Sequence, residues 1–342
     1  MCVHAKDEVD RGEGMIISRT PLRVSFVGGG SDLPAYYRHE PGAVVSTAIN
    51  KYIYITVNEK FDRQIRASYS VTEIVERVDD LKHQLIREAL RLVGRTHSIE
   101  ITSISDIPSQ GTGLGSSSTY TVGLLNALYA FVGRFAGAER LAREACYIEI
   151  ERCGAPIGKQ DQYIAAFGGF QFIQFNPDET VFVDPIICRS ETKRLLQQRL
   201  LMLYTGATRK ADDVLREQRE NTERDASRRR HLRRMVELAH DLRIALHHDN
   251  LDAFGEILHE GWMRKRELAS SISNSQIDDW YERARAAGAI GGKILGAGGG
   301  GFLLLYAPEE RHQAIRAVLP ELRHVPIQFE PQGSKIIYVE ER

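Results

Sequence analysis

The sequence is poor in cysteine, and the four it has, Cys2, Cys146, Cys153 and Cys188, form no C-x-x-C pair. Structural zinc sites and disulfide frameworks need clustered cysteines, so neither organises this chain, and the expectation is a cytoplasmic protein with reduced thiols. Long apolar runs are missing as well. None approaches the ~20 residues that cross a bilayer, so no membrane partner is expected. Charge of one sign is not in excess: 45 basic and 46 acidic residues leave a formal net charge of −1. Such a chain has no global field to draw in nucleic acid or an anionic surface. Residues 1–14 are polar, mixed in charge and without an apolar core, which argues against a secretory signal. They read as a flexible N-terminal extension, with Met15 as an alternative start.

Several familiar motifs are absent too. A Walker P-loop requires Gly-Lys-Ser/Thr at its end. Here Gly158-Lys159 continues to Gln160 and Gly292-Lys293 to Ile294. The pattern Gly296-x-Gly298-x-x-Gly301 fits a dinucleotide fingerprint, but that fingerprint must open a helix. Here it is followed by Phe302-Leu303-Leu304-Leu305-Tyr306, an apolar strand pattern. A nucleotide-binding oxidoreductase therefore stays a minor alternative. The histidines are scattered and no nucleophile elbow appears. The basic run at 228–234 follows Glu220, Glu223 and Asp225 and reads as a solvated helix face.

What remains is a soluble globular composition, 42% hydrophobic and 27% charged over 342 residues, long enough for two domains. Apolar alternation predicts strands at 15–27, 43–57, 98–104, 170–175, 180–183, 200–205, 293–295, 302–306, 326–329 and 335–339. Helical spacing predicts helices at 79–93, 120–132, 138–153, 161–166 and 308–319, and a long charged helical region over 211–287. The composition changes after Lys210, and a domain boundary near 188–200 divides the chain into 15–195 and 196–342. Three glycine-rich turns punctuate this pattern, at 28–32, 111–118 and 296–301. One such turn alone reads as a plain connection between strands. Three, one of them heading a helix, point to a shared ligand. The central stretch, Gly111-Thr112-Gly113-Leu114-Gly115-Ser116-Ser117-Ser118, feeds a helix N-terminus, where free N–H groups and the helix dipole favour an anion. Arg23 lies in an otherwise apolar strand, and an unpaired buried charge is costly, so an anionic partner is expected for it. One carboxylate with one loop serine suits Mg²⁺, which keeps several of its waters.

The three turns resemble the three motifs of the GHMP small-molecule kinases. Pro21-Leu22-Arg23-Val24-Ser25-Phe26-Val27-Gly28-Gly29-Gly30-Ser31-Asp32 is similar to the first, Pro108 to Ser118 to the second, and Lys293-Ile294-Leu295-Gly296-Ala297-Gly298-Gly299-Gly300-Gly301 to the third. The resemblance implies an α+β fold of two domains, ribosomal-protein-S5-like then ferredoxin-like, with ATP and Mg²⁺ in the cleft between them. It implies that Gly111, Gly113, Leu114, Gly115, Ser116, Ser117 and Ser118 hold ATP, and that Ser117 and Glu149 hold Mg²⁺. Asp161 would take or position the proton of the acceptor hydroxyl, supported by Arg23. Gly29, Gly30, Ser31, Asp32 and Gly299 would contact the sugar. Galactokinases carry Gly-Glu-His where this chain has Gly28-Gly29-Gly30, so galactose is disfavoured. Gly-Gly-Gly-Ser-Asp-Leu-Pro, with Thr205-Gly206-Ala207-Thr208-Arg209-Lys210, is similar to the D-glycero-D-manno-heptose 7-phosphate kinases, which phosphorylate the anomeric oxygen for bacterial surface glycans. Arg209 and Lys210 would then bind the 7-phosphate. An L-fucokinase-like enzyme is the nearest alternative. The partners expected are a sugar phosphate and ATP, with a homodimer as the default for a soluble enzyme.

Overall fold

The structure is a computed structural model that describes residues 14–108, 111–207 and 211–340. The residues before 14, together with Arg209 and Lys210, lie outside this description. The described strands are β1 (Ile16–Val27), β2 (Gly42–Glu59), β3 (Ile65–Ser68), β4 (Thr72–Val75), β5 (Ile99–Ser105), β6 (Phe170–Phe175), β7 (Val181–Pro185), β8 (Leu200–Tyr204), β9 (Gly291–Ile294), β10 (Phe302–Tyr306), β11 (Arg323–His324) and β12 (Lys335–Val339). They form two sheets, and with the helices they make an α+β fold.

The first sheet runs β12-β1-β2-β5-β3-β4, with β6 and β7 added beside β2. Val44, Val45, Thr47, Ile49, Ile53, Ile55, Thr56 and Val57 give β2 the branched side chains that suit a pleated, packed surface. The strand is 18 residues long and serves two neighbours on one edge. Its first part pairs with β6 and its last part with β5. The C-terminal strand β12 returns to pair antiparallel with β1, Ile16 opposite Val339. The division at 195 falls within a helix, Ser190–Arg199.

The helix Ser116–Phe131 lies on β1 and β2, with Val122, Leu124, Leu125, Leu128 and Phe131 buried. Each such side chain contributes roughly 1.5–3 kcal/mol by leaving water. Two side-chain bonds fix its position: the Ser18 hydroxyl donates to the Gly123 carbonyl at 2.8 Å, and Thr119 donates to that of Pro21 at 3.2 Å. The serine end of the helix is thereby held beside Arg23.

The second sheet is antiparallel, in the order β11-β8-β10-β9. Its apolar runs are continuous because both faces are covered. Leu200, Met202, Phe302 and Leu304 join the core of the first sheet, while Leu201, Leu203, Leu303 and Leu305 join a second core with Trp262 and Tyr281. The charged region after residue 210 resolves into four helices, Ala211–Arg224, Ala226–His247, Leu251–Arg266 and Ser275–Ala286. The last three start where Asp225, Asn250 and Asn274 accept a bond from a first-turn N–H. That capping satisfies an orphan donor and ends the continuity expected from composition. The helix expected over 138–153 also changes character: Ala138–Cys146 is α-helical, and Tyr147–Arg152 forms a π-helical turn. No helix among the described residues is long and apolar enough to cross a membrane.

Candidate active site

All three glycine turns meet in one region. β1 delivers Arg23, whose guanidinium grips Asp161 with two parallel bonds, Nε to Oδ1 and Nη2 to Oδ2, each 2.7 Å. Its remaining nitrogen, Nη1, donates to the Gly113 carbonyl at 2.6 Å. Arg23 is buried, and its expected anionic partner is therefore Asp161, in the first turn of the helix Gln160–Phe167. Such bidentate pairing fixes orientation as well as charge. The pair sits against Gly115, where a Cβ would come within 3.1 Å of Asp161 Oδ2.

The second and third turns stack backbone on backbone. A Cβ on Gly113 would lie 2.3 Å from the Leu295 carbonyl, and one on Gly296 would lie 2.4 Å from Gly113 Cα. Only glycine permits that approach. Gly115, with φ of 75°, leads into the helix Ser116–Phe131, whose start has no side-chain cap. Ser116, Ser117 and Ser118 of its first turn line the cleft, at the positive end of the helix dipole.

Gly111, Gly113, Gly115, Ser116, Ser117 and Ser118 line this cleft together with Glu149, Arg23 and Asp161. The Ser117 hydroxyl donates to Glu149 Oε1 at 2.6 Å, and Gln162 donates to Oε2 at 2.6 Å. Glu149 is carried inward by the π-helical turn and is 1% exposed. Burial pushes its carboxyl up to about 7, against these neutral donors. Among the described residues no group of three His, Cys, Asp or Glu side chains is placed to hold a metal.

An adjoining cavity is lined by Gly29, Gly30, Asp32, Gln160, Lys265 and Lys293, and shares Arg23 and Asp161 with the first. Asp32 accepts from the Gly30 N–H at 2.8 Å and the Gln160 N–H at 3.3 Å. Burial raises its carboxyl above the usual carboxylate range, with the nearby Asp161 adding to the effect.

Three of the expected contact residues are engaged elsewhere. The Leu114 side chain is in the core, and its carbonyl accepts from the Arg23 N–H at 3.2 Å. The Ser31 hydroxyl ties its turn to β2, donating to the Gly28 carbonyl at 2.8 Å and accepting from the Ala43 N–H at 3.0 Å. The Gly299 N–H donates to the Ile272 carbonyl at 2.8 Å. Conversely, Lys265 and Lys293 escaped the reading of the sequence. Lys293 carried the signal that marked Arg23, a lone charge in an apolar strand before a glycine turn. Lys265 stands in Arg264-Lys265-Arg266 and looks like any solvated helix face.

A protein from Campylobacter jejuni, a D-glycero-alpha-D-manno-heptose 7-phosphate kinase, is 30% identical over 334 residues, covering 94% of this chain and 98% of its own length. The family profiles agree: the GHMP kinases N terminal domain matches residues 82–169 and the GHMP kinases C terminal domain residues 242–322. The chain belongs to the GHMP kinase family. This GHMP kinase is thus a phosphotransferase acting on a hydroxyl group. A solved D-glycero-D-manno-heptose 1-phosphate kinase from Bacteroides thetaiotaomicron superposes with a TM-score of 0.80 at 26% identity, covering 95% of this chain and 100% of that one. The names of these two relatives differ in the position of the phosphate. The Arabidopsis thaliana bifunctional fucokinase/GDP-fucose pyrophosphorylase is 28% identical over 88% of this chain, which spans 31% of that protein.

Proposed function

We propose that this kinase transfers the γ-phosphoryl group of ATP to the anomeric oxygen of D-glycero-D-manno-heptose 7-phosphate. The product would be the 1,7-bisphosphate, a precursor of GDP-heptose for bacterial surface polysaccharide. The observation that carries the reading is the Arg23–Asp161 pair, which lies at the junction of the glycine-loop cleft and the acceptor cavity. Asp161 accepts or orients the proton of the attacking hydroxyl there, and Arg23 holds it aligned. Phosphoryl transfer depends chiefly on such positioning and electrostatics.

The uncapped helix start at Ser116 and the glycine backbone around Gly113 suit the ATP phosphates. Beyond Ser116 and Ser117 a pocket walled by Tyr69, His83 and Tyr120 suits the base. Its rings are close, Tyr69 4.5 Å from His83 and His83 5.4 Å from Tyr120. Ser117 and Glu149 fit Mg²⁺: a buried carboxylate contacted by neutral donors, beside one hydroxyl, suits an ion that takes few protein ligands. When bound, the ion neutralises charge on the ATP phosphates. Gly29, Gly30 and Asp32 contact the sugar, with Asp32 ready to meet a hydroxyl.

A panel of sugars and sugar phosphates with ATP and Mg²⁺, with phosphorus NMR of the products, tests the assignment. The expected result is a second phosphate at the anomeric carbon of the heptose phosphate. The second reading, L-fucose as acceptor, follows from the fucokinase relative. Turnover of L-fucose in preference to every sugar phosphate would establish it and sink the first.

A further inference from the structure

The acceptor cavity contains more positive than negative charge. Arg23, Lys265 and Lys293 line it against Asp32 and Asp161, an excess of one positive charge (three minus two). Arg23 is matched to Asp161. The lysines are not matched in that way. Lys265 Nζ donates to the Gly29 carbonyl at 3.3 Å and to Gln218 Oε1 at 3.0 Å. Lys293 Nζ donates to the carbonyls of Ser25 at 2.9 Å and Phe26 at 3.2 Å. All four acceptors are neutral. An ammonium has three N–H donors, so each lysine keeps one in hand.

Both lysines are buried, at 4% and 5% exposure. Asp32 acts on Lys265, but its oxygens are held by backbone N–H groups. The charges acting on Lys293 are Lys265 and Arg23, both positive. Buried cations of this kind are costly unless an anion accompanies them. Ser25 Oγ, in the same wall, and Gln218 Nε2, packed behind Gly30, are buried without a hydrogen-bond partner. Buried polar atoms are rarely left so. Gly30 is part of this arrangement: a Cβ there would lie 2.2 Å from Gln218 Nε2.

We propose that Lys265 and Lys293 form the subsite for the phosphate already carried by the acceptor, with Ser25 Oγ as a neutral donor beside them and Gln218 holding Lys265 from behind. This rests on the sugar-kinase reading and specifies its substrate class: an aldose with a terminal phosphate. The other phosphate source in the reaction is the transferring group of ATP. Neither lysine lines the glycine-loop cleft, whereas both line the acceptor cavity, which favours the acceptor's phosphate.

Steady-state kinetics on paired acceptors test the proposal: heptose 7-phosphate against heptose, and mannose 6-phosphate against mannose. Lys265→Met and Lys293→Met should each raise KM for the phosphorylated member by about 10- to 100-fold, the worth of a charge-assisted bond. The KM for ATP should move far less, and kcat/KM for the parent sugar should fall less than that for the phosphorylated member. Gln218→Glu keeps the volume and both lysines but sets a carboxylate against Lys265, so it should raise the same KM. Equal losses on both members of a pair would overturn the proposal. So would a fall in kcat or a rise in ATP KM with the sugar-phosphate KM unmoved, which would move the lysines to the transferring group. If the unaltered enzyme uses mannose 6-phosphate but not heptose 7-phosphate, the heptose assignment falls and the subsite stands. If it prefers the unphosphorylated member of each pair, the subsite falls.

Discussion

The two ends of the cleft are built from different material. The glycine-loop end is mostly backbone, with Gly113 against Leu295 and Gly296, and a helix start offering N–H groups. The acceptor end is mostly side chains, with Arg23, Asp32, Asp161, Lys265 and Lys293 converging from five separate segments. A backbone site serves a ligand part common to a whole family, because peptide groups do not depend on residue identity. A side-chain site can be respecified one residue at a time. The difference explains how relatives named for heptose phosphates, fucose, mevalonate and galactose share one scaffold.

Three measurements would sharpen or break this contrast. The largest effect is expected at the acceptor end. Asp161→Asn should lower kcat by at least ~100-fold, the usual contribution of a positioned acid–base group, with ATP affinity by calorimetry retained. Near-normal turnover would remove Asp161 from the reaction. At the backbone end, Gly113→Ala places a methyl group 2.3 Å from the Leu295 carbonyl at a φ of 76°. Left-handed backbone costs a side chain about 1–2 kcal/mol, so ATP KM should rise by about 5- to 30-fold. A change confined to the sugar KM would mean that the loop serves the acceptor. The smallest effect is in the pH profile. Burial lowers Lys265 to about 8 and Lys293 to about 7, the latter also through repulsion by Lys265 and Arg23. Both are charged below these values and neutral above. Hence kcat/KM for a sugar phosphate should fall as pH rises through this range, and that for the parent sugar should fall less.

The sequence reported the backbone end far better than the other. Glycine turns and a serine-rich helix start are local chemistry, visible in a dozen consecutive residues. Arg23 was legible because a charge inside an apolar strand demands an explanation, and the structure supplies Asp161. Lys265 was not, since burial depends on which helix face packs inward, and its neighbours Arg264 and Arg266 bond to Glu260 and Asp278. The inward turn of Glu149 was hidden for a related reason: a π-helical turn leaves no compositional mark. In the fold, the longer strands were evident from alternation. β3 and β4, four residues each, and the two-residue β11 were too short to show a period. The expected strand at 326–329 is reduced to one bridge, Phe329 with Ile49.

The return of β12 to β1 has a consequence for the order of assembly. During synthesis the strand bearing Arg23 is made long before its outer neighbour, residues 335–339. Until then one edge of β1 offers unpaired peptide groups, the condition that invites pairing with other chains. Contacts so distant along the chain also close slowly. The nascent enzyme therefore holds its first ligand loop on an unfinished sheet until residues 335–339 emerge.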